Sequence, residues 1–236
     1  MTNRDFYEQI FPEFWQKIDT SNLVEDSHSM FGDEATFTWL INTIAPNEII
    51  EIGSWKGHSA NYMIDACKAK GLDCRIVCVD TFLGGPEHWL LPGSIETLYR
   101  KNGQPTILDR FLANTIARGN ANHVFPLCLD SAAAAKVLKH FNFAADLIFI
   151  DGGHDYEDVV SDISKYYPLL SGTGVMFGDD YQAETVANAV HDCARKLGVE
   201  VLVSARKWIF VNEALVRRLT LPGIQLRKSF EGWVHP

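Results

Sequence analysis

Five short apolar runs, each with a carboxylate at or near its end, recur along this chain and limit what it can fold into: EIIEIG (48–53), CRIVCVD (74–80), HVFPLCLD (123–130), DLIFID (146–151) and GVMFGDD (174–180). Runs of this length without polar alternation read as strands covered on both faces. The segments after them carry apolar residues at helical spacing, for example Val159, Val160, Ile163, Tyr167 and Leu170 after the fourth run. Strands alternating with helices predict a parallel sheet between two helical layers. The end of the pattern differs, because VEVLVS and KWIFVN are separated only by Ala205 and Arg206. A parallel crossover needs a dozen or more residues, so this pair must be antiparallel. The reading is an α/β chain with a mostly parallel seven-stranded sheet, helices on both faces and a C-terminal antiparallel hairpin.

Length and composition fit that reading. The 236 residues, 47% hydrophobic and 22% charged, suit one large domain with a sizeable core. A formal net charge of −9, with no Lys/Arg run longer than two, argues against a nucleic-acid-binding surface. The five cysteines form no C-x-x-C pair, which leaves zinc or redox chemistry little support. No stretch approaches the length of a membrane span, and the N-terminal segment carries acids among its aromatics rather than a secretory core. A soluble, cytoplasmic protein is expected, with no nucleic-acid or membrane partner; a homo-oligomer is left open. Amphipathic stretches near 4–18 and 33–45 form an N-terminal helical extension (1–46), followed by a main domain (47–212) and a tail (213–236). Residues 82–106 form a long, Gly-, Pro- and aromatic-containing interval of the kind that makes a lid.

In an open α/β sheet ligands bind beyond the carboxyl ends of the strands. Those ends read Glu51, Asp80, Asp130, Asp151 and Asp179–Asp180. Each alone has a plain explanation as a helix cap or solvated loop residue. Together they point to a cationic ligand, a polyhydroxyl ligand or a metal ion. Asp151 and Asp179 are 28 residues apart, at the ends of strands expected to be neighbours. Three converging carboxylates repel one another unless a cation joins them, and hard divalent cations prefer oxygen ligands. His154, three residues beyond Asp151, is then placed to take a proton from a metal-bound hydroxyl. Gly152 and Gly153 are expected to let the backbone turn tightly between the two.

The first strand exit, EIGSWKGHSA, puts Trp55 where a dinucleotide-binding loop needs its second glycine. Its E-x-G-x-x-x-G spacing resembles instead the first motif of class I S-adenosylmethionine-dependent methyltransferases. The resemblance implies a Rossmann-like methyltransferase fold over about 47–212. In that family the loop carrying Glu51, Gly53, Ser54, Gly57 and Ser59 takes the methionine end of the cofactor. Asp80 would accept the ribose hydroxyls, and Asp130–Ser131 and Asp151 would complete the cofactor site. FIDGGHDYEDVVSDI followed by GVMFGDDY is similar to the metal-dependent O-methyltransferases related to macrolide-sugar methyltransferases. That likeness implies Asp151, Asp179 and Asp180 as ligands of Mg2+ or another divalent cation, His154 as base, and a small polyhydroxylated or sugar-containing acceptor. A hydroxylase-like enzyme on the same frame and a non-catalytic cofactor-binding module stay open as alternatives.

Overall fold

The computed structural model describes residues 1–21, 23–26 and 34–211, and the backbone of two short strands, β8 (Arg227–Ser229) and β9 (Gly232–Val234). The five expected parallel strands are β1 (Glu48–Ile52), β2 (Arg75–Asp80), β3 (Val124–Cys128), β4 (Ala145–Ile150) and β5 (Leu170–Gly178). They are followed by the antiparallel hairpin β6 (Glu200–Ser204) and β7 (Lys207–Val211). The order is β3-β2-β1-β4-β5-β7-β6, so β7 slots antiparallel against β5 and β6 lies outside it. The pair β9-β8 continues the sheet beyond β6, within the expected tail; residues 22, 27–33 and the rest of 212–236 lie outside the described residues.

Side chains alternate between two cores, as strand pleating requires. Ile50, Ile52, Val77, Val79, Ile148, Ile150 and Met176 face one core, while Ile49, Ile76, Cys78, Leu147, Phe149 and Phe177 face the other. The first is covered by α6 (Ser131–His140), α7 (Tyr156–Tyr166) and α8 (Glu184–Leu197), the second by α3 (His58–Ala69) and α5 (Ile107–Ala117). In α8 the buried positions Val186, Ala189, Val190, Cys193 and Ala194 repeat at helical spacing, and Gly198 ends the helix with φ 67°.

The N-terminal segment is built into both cores. α1 (Asn3–Ile10) sends Phe6 and Tyr7 into the first, and α2 (Glu34–Ile44) sends Phe37, Leu40 and Ile41 into the second. Between them Trp15 Nε1 donates to the carbonyl of Val124 on the outer strand β3 (3.0 Å). α1 sits at the amino ends of the strands. There Tyr7 donates from its hydroxyl to Glu48 (2.7 Å), and Arg75 bonds the same carboxylate (2.7 Å) while lying over the Tyr7 ring. α1 is therefore at the end of the sheet opposite the strand exits. The interval 82–106 carries the short helix α4 (Pro86–Leu90) and a 3-10 turn at Ser94–Leu98.

Candidate active site

Gly53 leaves β1 with φ 84°, and a Cβ there would lie 2.0 Å from the carbonyl oxygen of Asp151. The exits of β1 and β4 thus touch backbone to backbone, and Asp151 N–H bonds the carbonyl of Ile52 (2.8 Å). Gly57, also left-handed, opens α3, and a Cβ on it would meet the Phe111 ring at 2.7 Å. Between them Trp55 takes a left-handed backbone (φ 48°), so a tryptophan holds a glycine-like conformation. Its ring stacks on His88 of α4, with centroids 4.2 Å apart, and this fastens the 82–106 interval to the loop.

Glu51 is fully buried in β1. Ser59 donates to Oε1 (2.5 Å), while Oε2 and the buried Ser54 Oγ have no partner in hydrogen-bonding geometry. Burial, the largest influence, pushes the Glu51 carboxyl up to about 7 from its ordinary 4.5. In that window the folded chain holds a proton the unfolded chain has released. The stability Glu51 contributes is thus full below pH 4.5 and lost as the pH rises to about 7. Glu51→Gln keeps the shape without the charge. It should gain on the order of 3 kcal/mol at pH 8 and little near pH 4.5, as read by urea unfolding at both values. An equal change at both would show that no buried charge is involved.

The second and third exits are satisfied locally. Asp80 accepts from the backbone N–H of Trp55 (2.8 Å) and of Phe82 (2.6 Å), which shapes the loop around it. Asp130 is exposed and caps α6 by accepting from Ala133 N–H (2.8 Å). Ser131 donates to Asp162 (2.6 Å) rather than pointing to an open cleft.

At the fourth and fifth exits the acids converge, because β4 and β5 pair in parallel with Ile150 opposite Gly178. Donor atoms of Asp151, His154 and Asp180 all lie within 4.8 Å of one another. His154 Nε2 is 2.9 Å from Asp180 Oδ2, and the pairing raises the imidazole and lowers the Asp180 carboxyl to about 2. Asp151 carries no ion pair among the described residues. Burial, then the charges of Asp179, Glu51 and Asp180, push its carboxyl up to about 7. The backbone bends at Gly152, between Asp151 and His154, with neither Gly152 nor Gly153 at a positive φ. The left-handed residues nearby are Gly53, pressed against this loop, and Asp180 itself (φ 56°).

Asp179, expected in the same set, lies outside that donor group. Its Oδ2 accepts from Lys207 Nζ (2.9 Å), and its Oδ1 accepts the N–H of Asp180 (2.7 Å). Arg206 bonds Asp180 Oδ1 at 2.6 Å and sits 3.5 Å from Asp179 Oδ1. Two cations of the β6–β7 hairpin therefore face the acid pair. Sequence reading did not single them out, since Ala205–Arg206–Lys207 looks like an ordinary exposed turn. Lys56 was missed too: half of "WKG", it is buried, bonds Asp26 (2.7 Å) and reaches the Tyr99 hydroxyl (3.2 Å). It thereby ties the N-terminal segment and the 82–106 interval to the β1–α3 loop.

Two local features fit known guests. Two carboxylates and an imidazole within 4.8 Å, one carboxylate lacking a counter-ion, fit a divalent cation. The Gly53–Gly57 turn leads into the N-terminus of α3 beside the unpartnered Glu51 and Ser54 atoms, which fits a polar ligand group.

Comparison with known proteins bears on the family and the fold. The pattern of a methyltransferase domain family matches residues 50–181, more than half the chain. An uncharacterized protein of Sinorhizobium fredii is 29% identical over 160 residues, covering 66% of this chain. The 8-demethyl-8-(2,3-dimethoxy-alpha-L-rhamnosyl)-tetracenomycin-C 4'-O-methyltransferase of Streptomyces olivaceus is 26% identical over 171 residues, covering 67%. The chain spans 15% of the length of the first of these relatives and 62% of the second. Among solved structures, the O-methyltransferase NovP superposes with a TM-score of 0.59 at 17% identity, over 78% of this chain and 82% of NovP. No helix among the described residues is long and apolar enough to cross a membrane. With the matched segment covering more than half of the chain, the chain belongs to the methyltransferase domain family, and its fold is that of the solved O-methyltransferase NovP.

Proposed function

We propose that this enzyme is an O-methyltransferase that moves the methyl group of S-adenosylmethionine to a hydroxyl of a small, polyhydroxylated molecule, with a divalent cation such as Mg2+ at the acid group. The observation that carries the reading is the convergence of Asp151, His154 and Asp180 directly beside the Gly53 turn. A sugar-bearing acceptor is favoured by the likeness to the tetracenomycin enzyme, whose name specifies a rhamnosyl group.

The cofactor would be held by the Gly53–Gly57 turn with Ser54 and Ser59, with Glu51 facing its positive end and Asp80 its ribose; Asp130 and Ser131 border the same side of the sheet. Asp151 and Asp180 would hold the cation, which when bound makes a coordinated hydroxyl more acidic. His154 is the exposed member of the group, at 56%, so it is the side chain an incoming acceptor meets first. Its neutral imidazole takes the hydroxyl proton, and Asp180 then stabilises the imidazolium through the pairing already present. Thr185 donates to the His154 carbonyl (2.7 Å) and fixes that turn. Glu87 of α4 adds a minor share to the field that raises His154, which supports the 82–106 interval as the part of the chain that would border the acceptor. The rest of the acceleration is positioning two reactants in line. His154 is the one imidazole in the group, which disfavours an iron hydroxylase built on two histidines and a carboxylate.

The test is methyl transfer from labelled S-adenosylmethionine to a panel of glycosides and other polyols, with Mg2+ and with EDTA, beside calorimetric titration of S-adenosylhomocysteine. Binding of S-adenosylhomocysteine together with Mg2+-dependent labelling is the expected result. Full activity in EDTA would remove the cation, and failure to bind S-adenosylhomocysteine would remove the reading altogether.

A further inference from the structure

Lys207 opens β7, and the antiparallel register that sets Trp208 opposite Gly178 brings its side chain to the end of β5. The amine is 1% exposed. It lies 4.7 Å from the centre of the Phe37 ring and 5.4 Å from that of Phe149, with Asp179 Oδ2 at 2.9 Å. A cation this deep has no water to turn to, and separating it from its carboxylate leaves an uncompensated buried charge. Asp179 is also engaged at both oxygens: Oδ2 accepts from Lys207, and Oδ1 accepts from the N–H of Asp180. That second bond fixes the left-handed backbone of Asp180, whose carboxylate then joins Asp151 and His154. The contrast is with Arg206, which pairs with Asp180 but is 50% exposed and can swing into solvent.

We infer that Lys207 is a positioning residue that withdraws Asp179 from the cation's ligand set and leaves Asp151 and Asp180 as its carboxylate ligands. The two acids of the "GDD" exit thus divide their work: Asp179 is a buried anchor and Asp180 the partly buried ligand that the anchor aims. The inference rests on the metal-assisted reading above, and its test separates the two.

The experiment is titration of Mn2+ into the full chain, followed by calorimetry and by the electron paramagnetic resonance of free Mn2+. Wild type is expected to bind, and Asp151→Asn and Asp180→Asn to lose at least about 30-fold in affinity. Lys207→Met removes a nearby positive charge and frees Asp179, so Mn2+ should bind about tenfold more tightly. A purely structural lysine would move the affinity the other way. The double variant Asp179→Asn/Lys207→Met neutralises both partners, keeps an acceptor for Asp180 N–H and avoids stranding either charge. It should bind within about threefold of wild type. If the double variant loses as much as Asp151→Asn, Asp179 is a ligand and the inference is overturned while the metal reading stands. If Lys207→Met weakens binding, the inference is likewise overturned. Absence of Mn2+ binding by wild type overturns the metal reading, and the inference with it.

Discussion

Gly53→Ala is expected to cost more than about 4 kcal/mol and to leave most of the chain without its native fold. Two effects add at this position. A left-handed backbone costs an alanine about 1–2 kcal/mol, and the new methyl would stand 2.0 Å from the Asp151 carbonyl oxygen and 2.8 Å from Gly152 Cα. Neither obstacle can give way cheaply. Both are backbone, and Asp151 is tied to β1 by its own N–H. Gly71→Ala is the control, because Gly71 is equally left-handed (φ 72°) but a Cβ there has nothing within 4 Å. It should lose only the conformational part. Urea midpoints of the two variants measure the difference, and similar losses would mean that the exits of β1 and β4 are not in contact. Any folded fraction of Gly53→Ala should also bind S-adenosylhomocysteine poorly, since the loop would have to back away from β4.

The second large effect is chemical. His154→Ala should lower the turnover rate by about 10²–10⁴-fold, the range for removing a general base, while S-adenosylhomocysteine affinity changes little. The separation follows from position: His154 is exposed and borders the acceptor side, whereas the cofactor loop is anchored through Gly53, Trp55 and Lys56. Stability should change little, because an exposed pairing with Asp180 contributes at most about 1 kcal/mol. Single-turnover methyl transfer, measured with cofactor saturating, isolates the step. A wild-type rate in this variant would discard the base assignment and leave the cofactor site untouched.

The parts of the molecule that sequence reading reached are those encoded locally. A strand buried on both faces must be apolar throughout, so β1, β2, β4 and the end of β5 announce themselves, and the acids that close them mark one edge of the sheet. The convergence of Asp151 with Asp180 follows because parallel neighbours align their ends. What stayed hidden depends on contacts far apart in the chain. Lys207 looks like a solvated residue beside a turn, and only the insertion of β7 between β5 and β6 carries it under Phe37 and against Asp179. Trp55 stood out as a residue that a dinucleotide loop does not place there, but its partner His88 lies 33 residues on and could not be inferred. Asp130 shows that an acid at a strand exit can also cap the next helix.

The wrapping of the N-terminal segment around the β3 edge bears on how this protein is best handled and compared. The stretch shared with its family begins at residue 50, yet Phe6, Phe37, Leu40 and Ile41, all essentially buried, come before it. At about 1.5–3 kcal/mol for each such side chain, their removal would forfeit roughly 6–12 kcal/mol, comparable to the whole stability of an ordinary domain. An expression fragment trimmed to the family boundary would bare both layers of the sheet at once and precipitate. The unit that relatives share and the unit that can stand alone in solution are therefore different lengths of chain.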